Sequence, residues 1–383
     1  MIKLRGTGSS LPAEDWTNEQ LMDLLGPMLN PKSSQTDEHK RYLSPGWIEK
    51  MFGFERRRMN ILHSTGLKPS REEGGKYDGD LAVEAILESL KQAAWSPSSV
   101  ESIVHVSCSP DFVTLNQHFG HIRRQVGLSA SAHPTHHSLG CAGLAAGLKT
   151  AKHDLLGDQS TSRALVVATN CTSGYMATPE LRSSYVQAVE GWARLTPLVF
   201  ADGGAALALE RVEEKRKPAG YGLWVNYGVV DLELVKQNIG GNMFPVATAN
   251  FRDGLYTMAA DKVRDHFPEL IDRAVELLRK DWEQKIRLEA PEFGELDLNR
   301  FARIYFHQAN AKLVKHTRER LNIDAHRAPI NADRLANTSA ASTALLLNED
   351  MRGGKLLPGD KVLFLWVGAG YDGAMFGYCV AEI

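Results

Sequence analysis

Three residues in this sequence have types and settings suited to thiol chemistry: Cys141, His307 and Asn337. Cys141 stands in His137-Ser138-Leu139-Gly140-Cys141-Ala142-Gly143-Leu144, where a short extended segment gives way to a helix rich in Ala and Gly. A cysteine at such a turn meets free backbone N–H groups and the positive end of a helix dipole, which favour the thiolate. Small neighbours let a substrate and a second helix come close, as a nucleophile elbow requires. His307 follows the apolar run Ile304-Tyr305-Phe306 and opens His307-Gln308-Ala309-Asn310. Asn337 precedes Thr338-Ser339-Ala340-Ala341-Ser342, another small-residue helix start. Each residue also has an ordinary role open to it: core cysteine, hydrogen-bonded histidine, helix N-cap. A Cys, a His and an Asn that all stand at strand–helix junctions form a constellation for nucleophilic thiol catalysis.

The elements that must position them alternate. Strands are predicted over Ser102–Ser107, Ala164–Thr169, Ala205–Leu209, Phe301–Phe306, Lys361–Val367 and Met375–Ala381. The Asp202-Gly203-Gly204 turn precedes the third of these. Helices are predicted over Asn116–Val126, from Cys141 to about Leu156, and over Leu255–Phe267, Glu269–Trp282, Ala309–Leu321 and Ser339–Glu349. Continuous apolar strands interleaved with helices imply an α/β architecture with buried sheets. The charged run Arg211 to Pro218 marks a joint between halves 1–212 and 213–383. The first half carries the Cys, the second the His and Asn. Leu25–Pro45 and Gly174–Gly191 read as additions to a compact fold, the latter a lid or pocket wall.

The bulk properties exclude several classes. The 383 residues carry a formal net charge of -2, which gives no field for nucleic acid. Four cysteines without CxxC spacing make neither a disulfide framework nor a structural zinc site. No apolar run is long enough to span a bilayer, and the N-terminus lacks a signal-peptide core, so a cytoplasmic location is expected. A metal site made of His133, His136 and His137 with Cys141, and with His105 nearby, is disfavoured, because a continuous strand points adjacent histidines to opposite faces.

Several stretches together resemble the ketoacyl synthase III branch of the thiolase superfamily. They are Trp47-Ile48 through Gly53-Phe54-Glu55-Arg56-Arg57, Cys141-Ala142-Gly143, Phe200-Ala201-Asp202-Gly203-Gly204-Ala205, His307-Gln308-Ala309-Asn310, Asn337 to Ser342 and Val367-Gly368-Ala369-Gly370-Tyr371. They occur in the family's order and span nearly the whole chain. The resemblance implies a thiolase-like fold of two pseudo-symmetric halves with mixed sheets. It implies decarboxylative Claisen condensation of an acyl thioester with a malonyl thioester through an acyl-cysteine at Cys141. His307 and Asn337 would donate to the enolate, and the backbone N–H groups of Cys141 and Ala369 would hold the oxyanion. No cofactor is implied; acyl-CoA or acyl carrier protein and malonyl thioesters are substrates.

By the same resemblance Trp47, Arg194, Gly254 and Asn310 face CoA or pantetheine. Phe112, Leu115, Phe200 and Met258 shape the acyl pocket, and Lys312 and Arg320 meet an acyl carrier protein. A homodimer is implied, with a residue near Leu115 reaching the partner's pocket. The sequence departs from the family pattern at Met51 and Arg252, where Arg and Met are usual, and at Ala336, which replaces a glycine and reads as a small change. A thiolase-fold acyltransferase, or a diketide-forming or cyclising synthase of secondary metabolism, is the alternative.

Overall fold

The computed structural model describes residues 1–30, 42–107, 109, 114–157, 160–176, 178–187, 195–213, 222–229, 260–370 and 373–383. The first sheet holds β1 (Ile2–Ser10), β4 (Ser102–Val106), β5 (His133–His137), β6 (Arg163–Asn170) and β7 (Gly203–Arg211), in the order β1-β7-β6-β4-β5. β2 (Asp15–Thr17) and β3 (Arg56–Arg58) form a separate ribbon. The second sheet holds β8 (Leu223–Val229), β9 (Arg303–Phe306), β10 (Lys361–Gly370) and β11 (Gly373–Glu382), in the order β8-β11-β10-β9. The two sheets repeat one ladder. β1–β7–β6 are antiparallel and β4 runs parallel to β6; β8–β11–β10 are antiparallel and β9 runs parallel to β10. The first sheet adds β5, parallel to β4 at its edge.

The helices used below are α1 (Asn18–Leu25), α2 (Pro45–Phe52), α3 (Asp78–Ala93), α4 (Leu115–Val126), α5 (Gly143–Gly157), α6 (Pro179–Gln187), α7 (Ala260–Asp281), α8 (Ala311–Arg320) and α9 (Ser342–Arg352). α5 packs on β4 and β6 of one sheet and on β8 and β11 of the other, and α9 touches β1, β7 and β9. Both therefore lie between the sheets. Small side chains let them fit there: Ala145, Ala146, Ala340, Ala341 and Ala344 are buried in one central core with Val104, Val166 and Trp366. α3 and α4 cover the outer face of the first sheet, and α7 and α8 that of the second. The layers run helix, sheet, helix, sheet, helix, which is the thiolase-like α/β arrangement.

Two expectations need correction. Gly203 and Gly204 belong to β7, where they pair with Asn170 and Thr169, rather than to a turn before it. A Cβ on Gly204 would lie 3.0 Å from the Leu81 carbonyl oxygen, so glycine lets α3 press onto the strand. The predicted break at Pro268 is absent: α7 continues through it from Ala260 to Asp281. A proline inside a helix removes one N–H bond and crowds the preceding turn. Burial of Phe267, Leu270, Ile271 and Ala274 in the second outer core offsets that loss.

Candidate active site

Cys141 lies two residues before α5 and is 6% exposed. The turn is closed by Gly143 N–H donating to the Gly140 carbonyl at 2.8 Å. The helix can start so close to β4 because Gly143 and Gly147 lack side chains; a Cβ on either would sit 2.7 Å from a Val106 methyl. From the second sheet, β10 comes closer still. A Cβ on Gly368 would be 2.4 Å from Cys141 Cβ, so only glycine permits that contact. Ala369 follows in β10, in register with Ala374.

Asn337 reaches the thiol. Its Nδ2 donates to Cys141 Sγ at 3.9 Å, and Ser339 Oγ lies at 3.9 Å from the same sulfur. The amide orientation follows from its other end: Oδ1 accepts from Ser339 N–H at 2.8 Å, and only oxygen can accept there. Nδ2 therefore faces the cysteine. The Asn337 backbone is fixed as well. It bridges Phe200 in parallel fashion, with Asn337 N–H on the Val199 carbonyl at 3.2 Å and Ala201 N–H on the Asn337 carbonyl at 3.0 Å. Ala336 and Ser339 on either side both have φ of 51°. At Ala336 ψ is -152°, a region that glycine occupies without strain and alanine does not. The Ala336 replacement is therefore not the small change that its size suggests.

His307 sits one residue beyond β9 and is buried, its N–H on the Leu365 carbonyl at 3.0 Å. Its Nδ1 is 3.0 Å from Ser342 Oγ, at the first residue of α9. Ser342 Oγ also accepts from Gln308 N–H at 3.4 Å, and its hydroxyl hydrogen is free to be given to Nδ1. When the hydroxyl donates to Nδ1, Nε2 carries the imidazole proton. Nε2 is buried and has no hydrogen-bond partner among the described residues. Burial lowers the His307 pKa to about 3, so the ring is neutral. Gln308 locks the loop: Nε2 donates to the Phe306 carbonyl at 2.8 Å and Oε1 accepts from Asn331 N–H at 3.2 Å.

Ser339, Ser342 and Gln308 were not singled out from the sequence. The serines carry a signal in hindsight: they stand three apart across a single 3-10 turn at Ser339–Ala341. Arg57 and Asp202 are further buried supports. Arg57 donates to the Leu198 carbonyl at 2.6 Å, and burial lowers its pKa to about 9. Asp202 accepts from Ser173 N–H and Asn60 N–H, each at 2.9 Å, and burial pushes its carboxyl up. Both hold the segment carrying Phe200, which packs in one apolar cluster with Cys141, Leu198 and Met176.

The remaining candidates divide. Trp47 is half-buried on α2 and meets Phe52 edge-on at 5.9 Å between centroids. Met51 packs against that same cluster. Asn310 caps α8, its Oδ1 accepting from Leu313 N–H at 2.8 Å. Between α2 and α8 lies a polar cleft of about 470 Å³ lined by Lys50, Lys312 and Lys315 together with Glu49, Glu55 and Asp333. Arg320, at the far end of α8, forms an ion pair with Asp272. Leu115 opens α4 and is exposed. Phe112, Arg194, Gly254, Met258 and Arg252 lie outside the described residues. His133, His136 and His137 do not converge: His133 is exposed, His136 Nε2 pairs with Ser138 and His137 Nε2 with Thr150.

Comparison with known proteins agrees with this arrangement. Residues 292–377 match the family model for the C-terminal part of 3-oxoacyl-[acyl-carrier-protein] synthase III. The β-ketoacyl-[acyl-carrier-protein] synthase III of Caldanaerobacter subterraneus subsp. tengcongensis is 26% identical over 373 residues, covering 95% of this chain and 93% of that protein. The crystal structure of 3-oxoacyl-(acyl carrier protein) synthase III from Pseudomonas aeruginosa PAO1 superposes with a TM-score of 0.69 at 20% identity, covering 100% of this chain and 98% of the other. A tetronic acid condensing enzyme gives a TM-score of 0.69 at 17% identity, with 100% of both chains covered. The fold is that of the thiolase-like condensing enzymes. The chain's similarity to β-ketoacyl-ACP synthases III, which are acyl-transferring enzymes, runs over nearly its whole length. No helix among the described residues is long and apolar enough to cross a membrane.

Proposed function

We propose that this chain joins an acyl thioester to a malonyl thioester by decarboxylative Claisen condensation, with Cys141 as nucleophile. The observation that carries the reading is the Asn337 amide, locked by Ser339 N–H so that Nδ2 points at Cys141 Sγ. The Cys141 thiolate attacks the acyl thioester carbonyl, and the donor thiolate leaves. The malonyl thioester then loses CO2, and the electron pair of the broken C–C bond becomes an enolate. Its carbon attacks the acyl-enzyme carbonyl and expels Cys141 as thiolate. Both stages place negative charge on a thioester oxygen, and both need preorganised donors. His307 Nε2–H and Asn337 Nδ2–H serve the enolate. The N–H groups of Cys141 and Ala369 serve the tetrahedral oxyanion. A neutral His307 suits this role, because it donates without delivering a full charge. The sequence is redox-neutral and requires no cofactor.

The cleft beside Trp47, Asn310 and Lys312 is the proposed approach for a pantetheine arm, with Phe200 and Leu115 bordering the acyl group. Lys312 is the proposed carrier-protein contact; Arg320 would first have to exchange its partner Asp272. The chain is proposed to act as a homodimer, for which β5 offers an unpaired sheet edge among the described residues. Primary fatty-acid synthesis and specialised metabolism share this chemistry. Met51, packed into an apolar cluster where the family pattern has an arginine, favours a donor other than CoA and keeps the diketide-forming reading as the second.

The test is product analysis with acyl-CoA and acyl-carrier donors, each supplied with a malonyl thioester. A 3-oxoacyl product with matching CO2 release supports the reading. Transfer of the acyl group to an alcohol, amine or water without CO2 release would favour the acyltransferase reading instead.

A further inference from the structure

The first sheet contains a polar centre that condensation does not use. His105 lies within β4, between the buried Val104 and Val106. Its side chain is fully buried, as are those of Asp78, the first residue of α3, and His118, near the start of α4. Three separate elements thus send ligand-type side chains to one point. His118 Nε2 is 3.1 Å from His105 Nδ1. Asp78 Oδ2 is 3.5 Å from His105 Nε2 and 3.9 Å from His118 Nε2. A second ring of hydrogen bonds orients them. Asp78 Oδ1 accepts from Ser107 Oγ at 2.8 Å and Ser109 Oγ at 3.1 Å, and Thr169 Oγ1 is 2.8 Å from His105 Nε2. Outer partners of this kind are what fix carboxylate and imidazole ligands around metals.

We propose that Asp78, His105 and His118 form a binding site for one zinc-class divalent cation that clamps α3 and α4 to β4. One ligand atom from each residue lies within 4.8 Å of the other two. Ligands about 2.0–2.2 Å from a tetrahedral zinc stand roughly 3.3–3.5 Å apart, and Asp78 Oδ2 lies 3.5 Å from His105 Nε2 and 3.9 Å from His118 Nε2. Mixed imidazole and carboxylate donors suit zinc, cobalt or nickel better than magnesium or calcium. Full burial makes the role structural, with the ion entering as the chain folds. The same two helices already share an apolar contact through Ala82, Ile86, Phe119 and Ile122.

The test uses untagged full-length protein refolded with zinc or cobalt and then freed of excess metal. Elemental analysis is expected to find stoichiometric zinc in the wild type and in Cys141→Ala, and to find it lost in Asp78→Asn and His118→Asn. The cobalt form is expected to show the visible absorption of a tetrahedral ion, and zinc to raise the unfolding temperature of the wild type but of neither ligand variant. Metal retained by both ligand variants would place the ion elsewhere and overturn the proposal. A wild type that stays metal-free, with no cobalt spectrum and no thermal shift, would equally overturn it, leaving a metal-free hydrogen-bond network. That second outcome needs no variant to fold.

Discussion

β4 and β9 hold the same place in their two sheets, each parallel to a central strand, yet they carry their histidines differently. β9 is apolar at Ile304, Tyr305 and Phe306, and His307 appears only past its end. β4 buries His105 within the strand. Both ring nitrogens of His105 are engaged, by His118 and Thr169. His307 uses one nitrogen on Ser342, and its Nε2 has no partner among the described residues. The fold is indifferent to where the polarity falls. A histidine at the strand end can present an unused donor to a substrate, whereas one inside the strand meets only buried neighbours or an ion that they hold.

If this contrast is right, the two histidines fail in different ways. His307→Ala and Asn337→Ala should each lower condensation by about 10²–10³, as loss of one oxyanion donor does elsewhere. Cys141 should still acylate in both, as read by single-turnover assays of the two stages. His105→Leu should instead destabilise the chain by about 2–4 kcal/mol, because Asp78 and His118 lose a buried partner. Its turnover per folded molecule should stay near that of the wild type. Denaturant midpoints and active-site titration separate these outcomes.

Acid sharpens the same comparison. His118 and His136 are lowered to about 4 by burial, and His105 well below its usual value. Their unfolded forms take up protons near pH ~6.5. The stability they contribute is therefore whole above that pH and is lost as pH falls towards 4. His307, lowered to about 3, follows the same sign over a window that reaches further into acid. Urea midpoints should fall as the pH is taken from about 6.5 to about 4, and His105→Leu should flatten that slope.

Two smaller effects follow. Ser342→Ala should release His307 Nδ1 and lower kcat roughly tenfold with little change in KM, since one hydrogen bond of about 1.4 kcal/mol selects the tautomer. Ala336→Gly should raise stability by about 0.5–1 kcal/mol by relieving its positive φ, net of the extra freedom glycine has when unfolded.

The sequence made the Cys141 turn legible, because Gly140, Gly143 and Gly147 advertise close packing. It also showed that His307 ends a strand and Asn337 begins a helix. The Asn337 contact with the thiol is long-range, and only the resemblance suggested it. Ser342 was illegible because a serine that opens a helix looks like any other; its value depends on where β9 ends. The convergence of Asp78, His105 and His118 was illegible for a related reason. Its members come from three separate elements. Pro268 and Gly203–Gly204 read as breaks because local rules see the backbone, not the burial that overrides it.

The central claim is that Cys141 carries the acyl group. Intact-protein mass spectrometry after incubation with a panel of acyl-CoA and acyl-carrier donors tests it most directly. The wild type should gain the mass of one acyl group, released by hydroxylamine, and Cys141→Ala should gain none. An acyl adduct that persists on folded Cys141→Ala would contradict the account.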